Sequence, residues 1–132
     1  MTTDSVKVLI NGSDWAWPDA VRRIFRNRPV ELLMVRRADE ALNVLQQRRI
    51  HTAIVDMDSK VFSGIGMIKI IRSSFPMLPC ILLADDAEEK LLSAALELDV
   101  FSVVNKPVDI DLLKNQLNRL FVRKYNSNLF NS

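Results

Sequence analysis

The sequence predicts an α/β domain built on a parallel sheet with helices on both faces. Three observations carry this reading. Short β-rich runs alternate five times with stretches of helical periodicity along 132 residues, the pattern of strands joined by crossover helices. The third, fourth and fifth runs are almost wholly apolar, as strands covered on both faces must be. Right-handed crossovers then distribute the helices to the two sides of the sheet.

The first strand is Val6 to Ile10, ended by the turn signal Asn11-Gly12. A helix follows to about Asn27, with Ala16, Ala20, Val21, Ile24 and Phe25 on one face and arginines on the other. Pro18 fits only a first turn, so this helix begins near Trp17. Val30 to Val35 is the second strand, and Asp39 to Arg49 the second helix, turning Ala41, Leu42 and Leu45 inward. Thr52 to Met57 is the third strand. After a loop through Ser63, the third helix runs from Gly64 to Ser73 and carries Ile65, Ile68 and Ile71. Pro76 and Pro79 bracket the turn into the fourth strand, Cys80 to Ala84. The fourth helix is Asp86 to Leu98 and the fifth strand Phe101 to Asn105. Asp109 caps a fifth helix in which Ile110, Leu113, Leu117, Leu120 and Phe121 keep helical spacing. The expected domain is residues 1–123, with 124–132 as a frayed tail or the start of a linker, because that segment shows no periodicity.

Composition narrows the function classes. Apolar residues are 48% and charged residues 26%, a globular balance that excludes a disordered chain. The longest uncharged stretch, Ser73 to Ala84, is too short to span a bilayer. The first ten residues include an acid and no long apolar run, unlike a secretory signal. The one cysteine, Cys80, forms no internal disulfide and no multi-thiolate site, and it reads as a small core residue. These features point to a cytoplasmic protein without membrane contact. Net charge is +2. Arginines cluster at 22, 23, 26, 28, 36, 37, 48 and 49, but acids are interleaved and Phe25 falls at core spacing, so they read as solvated helical faces rather than a nucleic-acid stripe. His51 has neither a second histidine nor a cysteine partner for a metal and is expected at the surface. Gly64-Ile-Gly66 lacks the third glycine and preceding strand of a dinucleotide loop.

In a parallel α/β sheet, ligand chemistry gathers at the carboxyl ends of the strands. Those ends are Asn11–Asp14, Asp56–Ser59, Ala84–Asp86 and Asn105–Pro107. Asp56 and Lys106 each follow an apolar strand and, if both strands are central, point into one crevice. A carboxylate and an ammonium there suit a phosphoryl group or its metal ion. They equally suit a plain ion pair that satisfies two partly buried charges.

The layout resembles the receiver domain of bacterial response regulators, the phospho-acceptor module of two-component signalling. The resemblance covers residues 5 to about 123 and rests on TAIVD ending in Asp56, Gly64 eight residues later, PCILLA after Pro79, and Lys106-Pro107 after the fifth strand. It implies a flavodoxin-like fold, a five-stranded parallel sheet in the order 2-1-3-4-5 with five helices. It also implies a signalling module rather than an enzyme. Asp56 would accept a phosphoryl group from a histidine kinase, and Lys106 would bind the phosphoryl oxygens. Mg²⁺ would sit on an acidic pair after the first strand, helped by a backbone carbonyl near Asp58.

The sequence departs from that pattern at several places. The acidic pair falls on Asn11 and Gly12, the phosphate-binding hydroxyl on Ala84, and the switch aromatic on Val103. Ser59-Lys60 replaces the usual Met-Pro. Mg²⁺ is bound through carboxylates, water and phosphate, so losing two carboxylates should weaken it. Asp14 or Asp58 would have to join Asp56 in restoring a metal site, although helix capping explains Asp14 and a solvated loop Asp58. Trp15 and Trp17 adjoin the crevice mouth and either bind a partner or cover the altered pocket. The leading expectation is an atypical receiver with weak or absent phosphorylation. It would act through a histidine kinase or another signalling protein, or through a homodimer formed by its fourth helix, fifth strand and fifth helix, without binding nucleic acid directly. The alternatives are a conventional phospho-receiver at Asp56 and a flavodoxin-like small-molecule binder.

Overall fold

The computed structural model describes residues 5–11, 18–57, 64–85 and 88–130. Five strands form one parallel sheet: β1 (Val6–Asn11), β2 (Val30–Val35), β3 (Thr52–Asp56), β4 (Cys80–Ala84) and β5 (Ser102–Asn105). Their order is β2-β1-β3-β4-β5. Five helices alternate with them: α1 (Pro18–Phe25), α2 (Ala38–Gln47), α3 (Gly64–Ser74), α4 (Glu89–Glu97) and α5 (Ile110–Tyr125). This is the receiver-type, flavodoxin-like fold the sequence predicts.

Side chains alternate across each strand, and the sequence loads both faces. Val8, Ile10, Ile54, Ile81 and Leu83 face a core shared with Ile24 and Phe25 of α1 and Leu113, Leu117, Leu120 and Phe121 of α5. Leu9, Ala53, Val55, Cys80 and Leu82 face the other core, closed by Ala41 and Leu45 of α2, Met67, Ile68 and Ile71 of α3, and Ala95 of α4. β3 and β4 are buried at every position, which is why their sequences lack polar alternation. Burial pushes the Cys80 thiol up to about 11, so it behaves as an inert core residue.

Helix ends differ from the periodicity by one to three residues, the widest gap being the start of α4 at Glu89 rather than Asp86. α1 stops at Phe25, short of Asn27, because Asn27 is left-handed at φ 64°. α2 stops at Gln47, and Arg48 is already extended at φ −133°. α4 stops before Asp99, left-handed at φ 55°. The Asp109 side chain accepts from the Leu112 N–H, as an N-cap should.

The segment expected to fray behaves otherwise through Phe130. α5 continues to Tyr125 and is closed by left-handed Asn126, whose N–H donates to the carbonyls of Phe121 and Val122. The chain then returns to the core. The Phe130 ring is 1% exposed and packs 5.0 Å from Phe121 and 5.5 Å from Phe25, centroid to centroid. Arg28 holds this segment by donating to the Leu129 carbonyl at 3.1 Å and lying over the Phe130 ring. His51 is half-buried rather than on the surface. Its Nδ1 accepts from the Lys7 N–H at 3.1 Å, its carbonyl accepts from the Tyr125 hydroxyl, and its ring meets Tyr125 edge-on. At the same end of the sheet Arg72 donates to the carbonyls of Leu98 at 2.7 Å and Asp99 at 3.2 Å, tying α3 to the α4–β5 turn.

Candidate functional site

β3 is flanked by β1 and β4, so its last residue emerges at the carboxyl edge of a sheet covered on both faces. That residue is Asp56, 4% exposed. β5 ends at Asn105, and the Lys106 N–H donates to the Ala84 carbonyl at 2.8 Å, which anchors Lys106 at the end of β4. The Lys106-Pro107 peptide is cis. From there Lys106 Nζ donates to Asp56 Oδ1 at 2.8 Å. The two side chains are 15% and 6% exposed. Since β4 lies between β3 and β5, this bond bridges three strands at the mouth of the crevice. The structure therefore brings together the two residues that the sequence placed there.

Asp85, at the carboxyl end of β4 where the sequence locates ligand chemistry, is a third charged member of the site. Its Oδ2 lies 3.9 Å from Lys106 Nζ, with a side chain 69% exposed, so its pull is largely screened by water. The signal was its position directly after an apolar strand, the same signal that marks Asp56.

Gly64 fixes the other wall. A Cβ there would stand 2.7 Å from Met57 Cα and 2.9 Å from the Asp56 carbonyl oxygen. Both are backbone atoms that cannot swing aside. The Gly64 N–H also donates to the Met57 carbonyl at 3.3 Å. Glycine thus lets the start of α3 press directly on the peptide that carries the acid.

Three of the substituted positions, Asn11, Ala84 and Val103, lie among the described residues. Asn11 ends β1 opposite Val35 on one side and Val55 on the other. It is 1% exposed, and neither Oδ1 nor Nδ2 has a hydrogen-bond partner among the described residues. Leaving a buried amide unmatched costs about 1–3 kcal/mol, so Asn11 is poorly accounted for by the described packing. Ala84 ends β4, 1% exposed, and brings no donor. Val103 is half-buried against the α2–α4 side of the core. Gly12, Asp14 and Asp58, with Trp15 and Trp17, lie outside the described residues.

This arrangement defines a class: a doubly wound α/β domain carrying an acid–lysine pair at the carboxyl edge of its sheet. The family described as response regulator receiver domain matches residues 9–118, and the chain belongs to that family. It is a response regulator receiver domain, a module of two-component signalling. No curated protein matches the sequence. Among solved structures, the signal receiver domain of an HD domain-containing protein from Pseudomonas fluorescens Pf-5 superposes with a TM-score of 0.82 at 22% identity, covering 96% of this chain and 93% of that one. The Vibrio cholerae chemotaxis protein CheY4 gives 0.77 at 20% identity, with 88% and 98% covered. The Salmonella typhimurium response regulator RcsB, a structure concerned with DNA interaction, gives 0.78 at 25% identity, with 92% of this chain and 61% of that chain covered.

Receiver domains typically bind Mg²⁺ in an acidic pocket. The described residues do not fit that ion. They offer the Asp56 carboxylate, already bonded to an ammonium, the exposed Asp85 carboxylate 3.9 Å from the same ammonium, and the neutral Asn11 amide. A hard divalent cation calls for a richer set of anionic oxygens. No group of three or more acids, histidines or cysteines among the described residues would hold a metal.

Proposed function

We propose that this receiver is atypical: a non-enzymatic signalling and protein-interaction module in which phosphorylation at Asp56 is weak or absent. The observation that carries the reading is the charge inventory of the crevice. Asp56 is neutralised by Lys106 at 2.8 Å, and the position beside it on β1 is a buried amide, not a carboxylate. Phosphoryl transfer depends on cationic groups and metal to offset developing charge. With Asn11 and Gly12 standing where the family's acidic pair falls, more of that offset rests on Lys106. Ala84 adds no hydroxyl to favour the phosphorylated state. A modification shifts a two-state equilibrium only through contacts that differ between the states. Regulation then falls to protein contact. The proposed partners are a histidine kinase or another signalling protein, met through the α4–β5–α5 face, where Leu92, Leu96, Leu112 and Val122 are exposed. A cytoplasmic location fits this role, and no described helix is long and apolar enough to cross a membrane.

The Asp56–Lys106 bond also supports a second reading, a conventional phospho-receiver whose metal site uses Asp14 or Asp58. An amide NMR titration with Mg²⁺ and then beryllofluoride, a mimic of the aspartyl phosphate, separates the two. A spectrum unmoved by millimolar Mg²⁺ and by beryllofluoride is expected. Shifts centred on Asp56 and Lys106, absent in Asp56→Asn, would establish the conventional receiver instead.

A further inference from the structure

The end of the sheet opposite the Asp56 crevice carries an apolar groove of ≈ 420 Å³. The end of α2, the approach to β3 and the α3–β4 connection form it. Leu45, Ile50, Phe75 and Leu78 line it, and Tyr125 closes one side. Arg48 and Arg49 stand exposed on its rim, and Met77 projects from it, 86% exposed. A second hollow that shares Met77 adds Arg123 and Lys124. The acids here are fewer: Glu31, bonded to Arg48 at 2.9 Å, and Asp99. The groove is apolar within and cationic around.

α4 has the complementary character. Leu92 and Leu96 are 46% and 81% exposed, and their spacing of four residues places them on one helical face. Ala95 points into the core instead. Exposed Glu88 and Glu89 precede the pair and exposed Glu97 follows it, with Lys90 the one cation of the helix. The leucines thus form an apolar stripe bracketed by carboxylates. Neither leucine belongs to the cores formed by the described residues.

We propose that the chain associates head to tail, with α4 of one copy seated in the amino-end groove of the next. Leu92 and Leu96 meet Met77 and the apolar floor, and Glu88, Glu89 and Glu97 meet Arg48 and Arg49. The occupant is a second copy because both halves of the match, apolar against apolar and acidic against basic, are on this one chain. The two surfaces share no residue, so each copy can give its helix and receive another at once. Such a heterologous contact grows into open chains unless its rotation closes a ring. A single helix in a small groove lies below the standard interface size, so the association is weak and concentration-dependent. The inference deepens the protein-interaction reading by naming the partner, and it rests on that reading for α4 as the contact element.

Sedimentation equilibrium on the whole chain, from micromolar to millimolar protein at low and high salt, tests it. The expected mass rises continuously past that of a dimer and falls back when salt screens the charges. Leu96→Glu and Met77→Glu change exposed side chains and should leave the fold intact by circular dichroism. Each alone is expected to be monomeric. Mixed, they should form a one-to-one dimer that grows no further, because one variant keeps a whole groove and the other a whole helix. A wild type that stays monomeric at millimolar concentration overturns the proposal and leaves the groove to a segment of another protein. A dimer indifferent to Met77→Glu overturns it in favour of symmetric pairing through α4. The Mg²⁺ and beryllofluoride titration reads the far end of the sheet, so failure there and failure here are distinguishable.

Discussion

Removing the ammonium and removing the carboxylate of the crevice should have unequal effects on stability. Lys106→Met leaves Asp56, whose side chain is 6% exposed, without the cation 2.8 Å away. Breaking a buried pair from one side costs about 3–5 kcal/mol, and the partial exposure of Lys106 at 15% sets the expected loss near the low end, about 3 kcal/mol. Asp56→Asn is milder, because the ammonium keeps water access, an amide oxygen to bond and the Asp85 carboxylate 3.9 Å away; about 1 kcal/mol is expected. The double variant removes both charges together. It should lose about 2 kcal/mol rather than the additive 4, a coupling of the size seen between contacting groups. Urea unfolding of the four proteins, followed by far-UV circular dichroism, measures the cycle, and equal slopes check that the unfolded states match. Lys106→Met within about 0.5 kcal/mol of wild type, or a double variant that is simply additive, would refute the claim that the bond holds the mouth of the crevice together.

Other outcomes follow from the same geometry. Gly64→Ala forces a Cβ to 2.7 Å from the Met57 backbone, and overpacking that cannot relax should cost about 1–3 kcal/mol, read as a lower urea midpoint. Phe130→Ala empties a ring site that is 1% exposed and should cost about 3–5 kcal/mol; a frayed tail would show no change. Burial, then the charges of Arg49 and Lys7, hold the His51 pKa below the ordinary 6.5. Below that value the unfolded chain takes up the proton first, so stability is whole above pH 6.5 and declines as pH falls beneath it. Replacing His51 with Gln should flatten that limb in urea midpoints measured across the range. Asn11→Asp places a second carboxylate beside β3 and should tighten Mg²⁺ binding about tenfold or more in the NMR titration.

The alternation of strands and helices was legible because each strand is a contiguous run and both sheet faces are buried. Asp56 and Lys106 were legible for a related reason: a charge directly after a buried strand has the carboxyl edge as its natural place. Local reasoning ended where contacts join distant parts of the chain. Phe130 carries no periodicity of its own, and its partners Phe25 and Phe121 come from the start and end of the fold. Arg28 and Leu129, 101 positions apart, have nothing local to announce their bond. His51 read as a surface residue because its cover, Tyr125, belongs to a helix whose last turn extends beyond the apolar pattern. The stop of α1 was the exception: Asn27 is a residue type that tolerates the left-handed conformation, and its signal was available.

The persistence of the Asp56–Lys106 bond beside neutral Asn11 and Ala84 is a physical argument about what this crevice does. A phosphate switch needs groups whose contacts improve when phosphate arrives. Ala84 has no such group, and Val103 lies half-buried against the core with no ring to reorient. What the pair does in the state described is join the ends of β3 and β5 across β4, holding the carboxyl edge in one arrangement. That favours a receiver whose signal arrives by contact at the surface, and it makes the mixed Leu96→Glu and Met77→Glu experiment the sharper test of how the chain communicates.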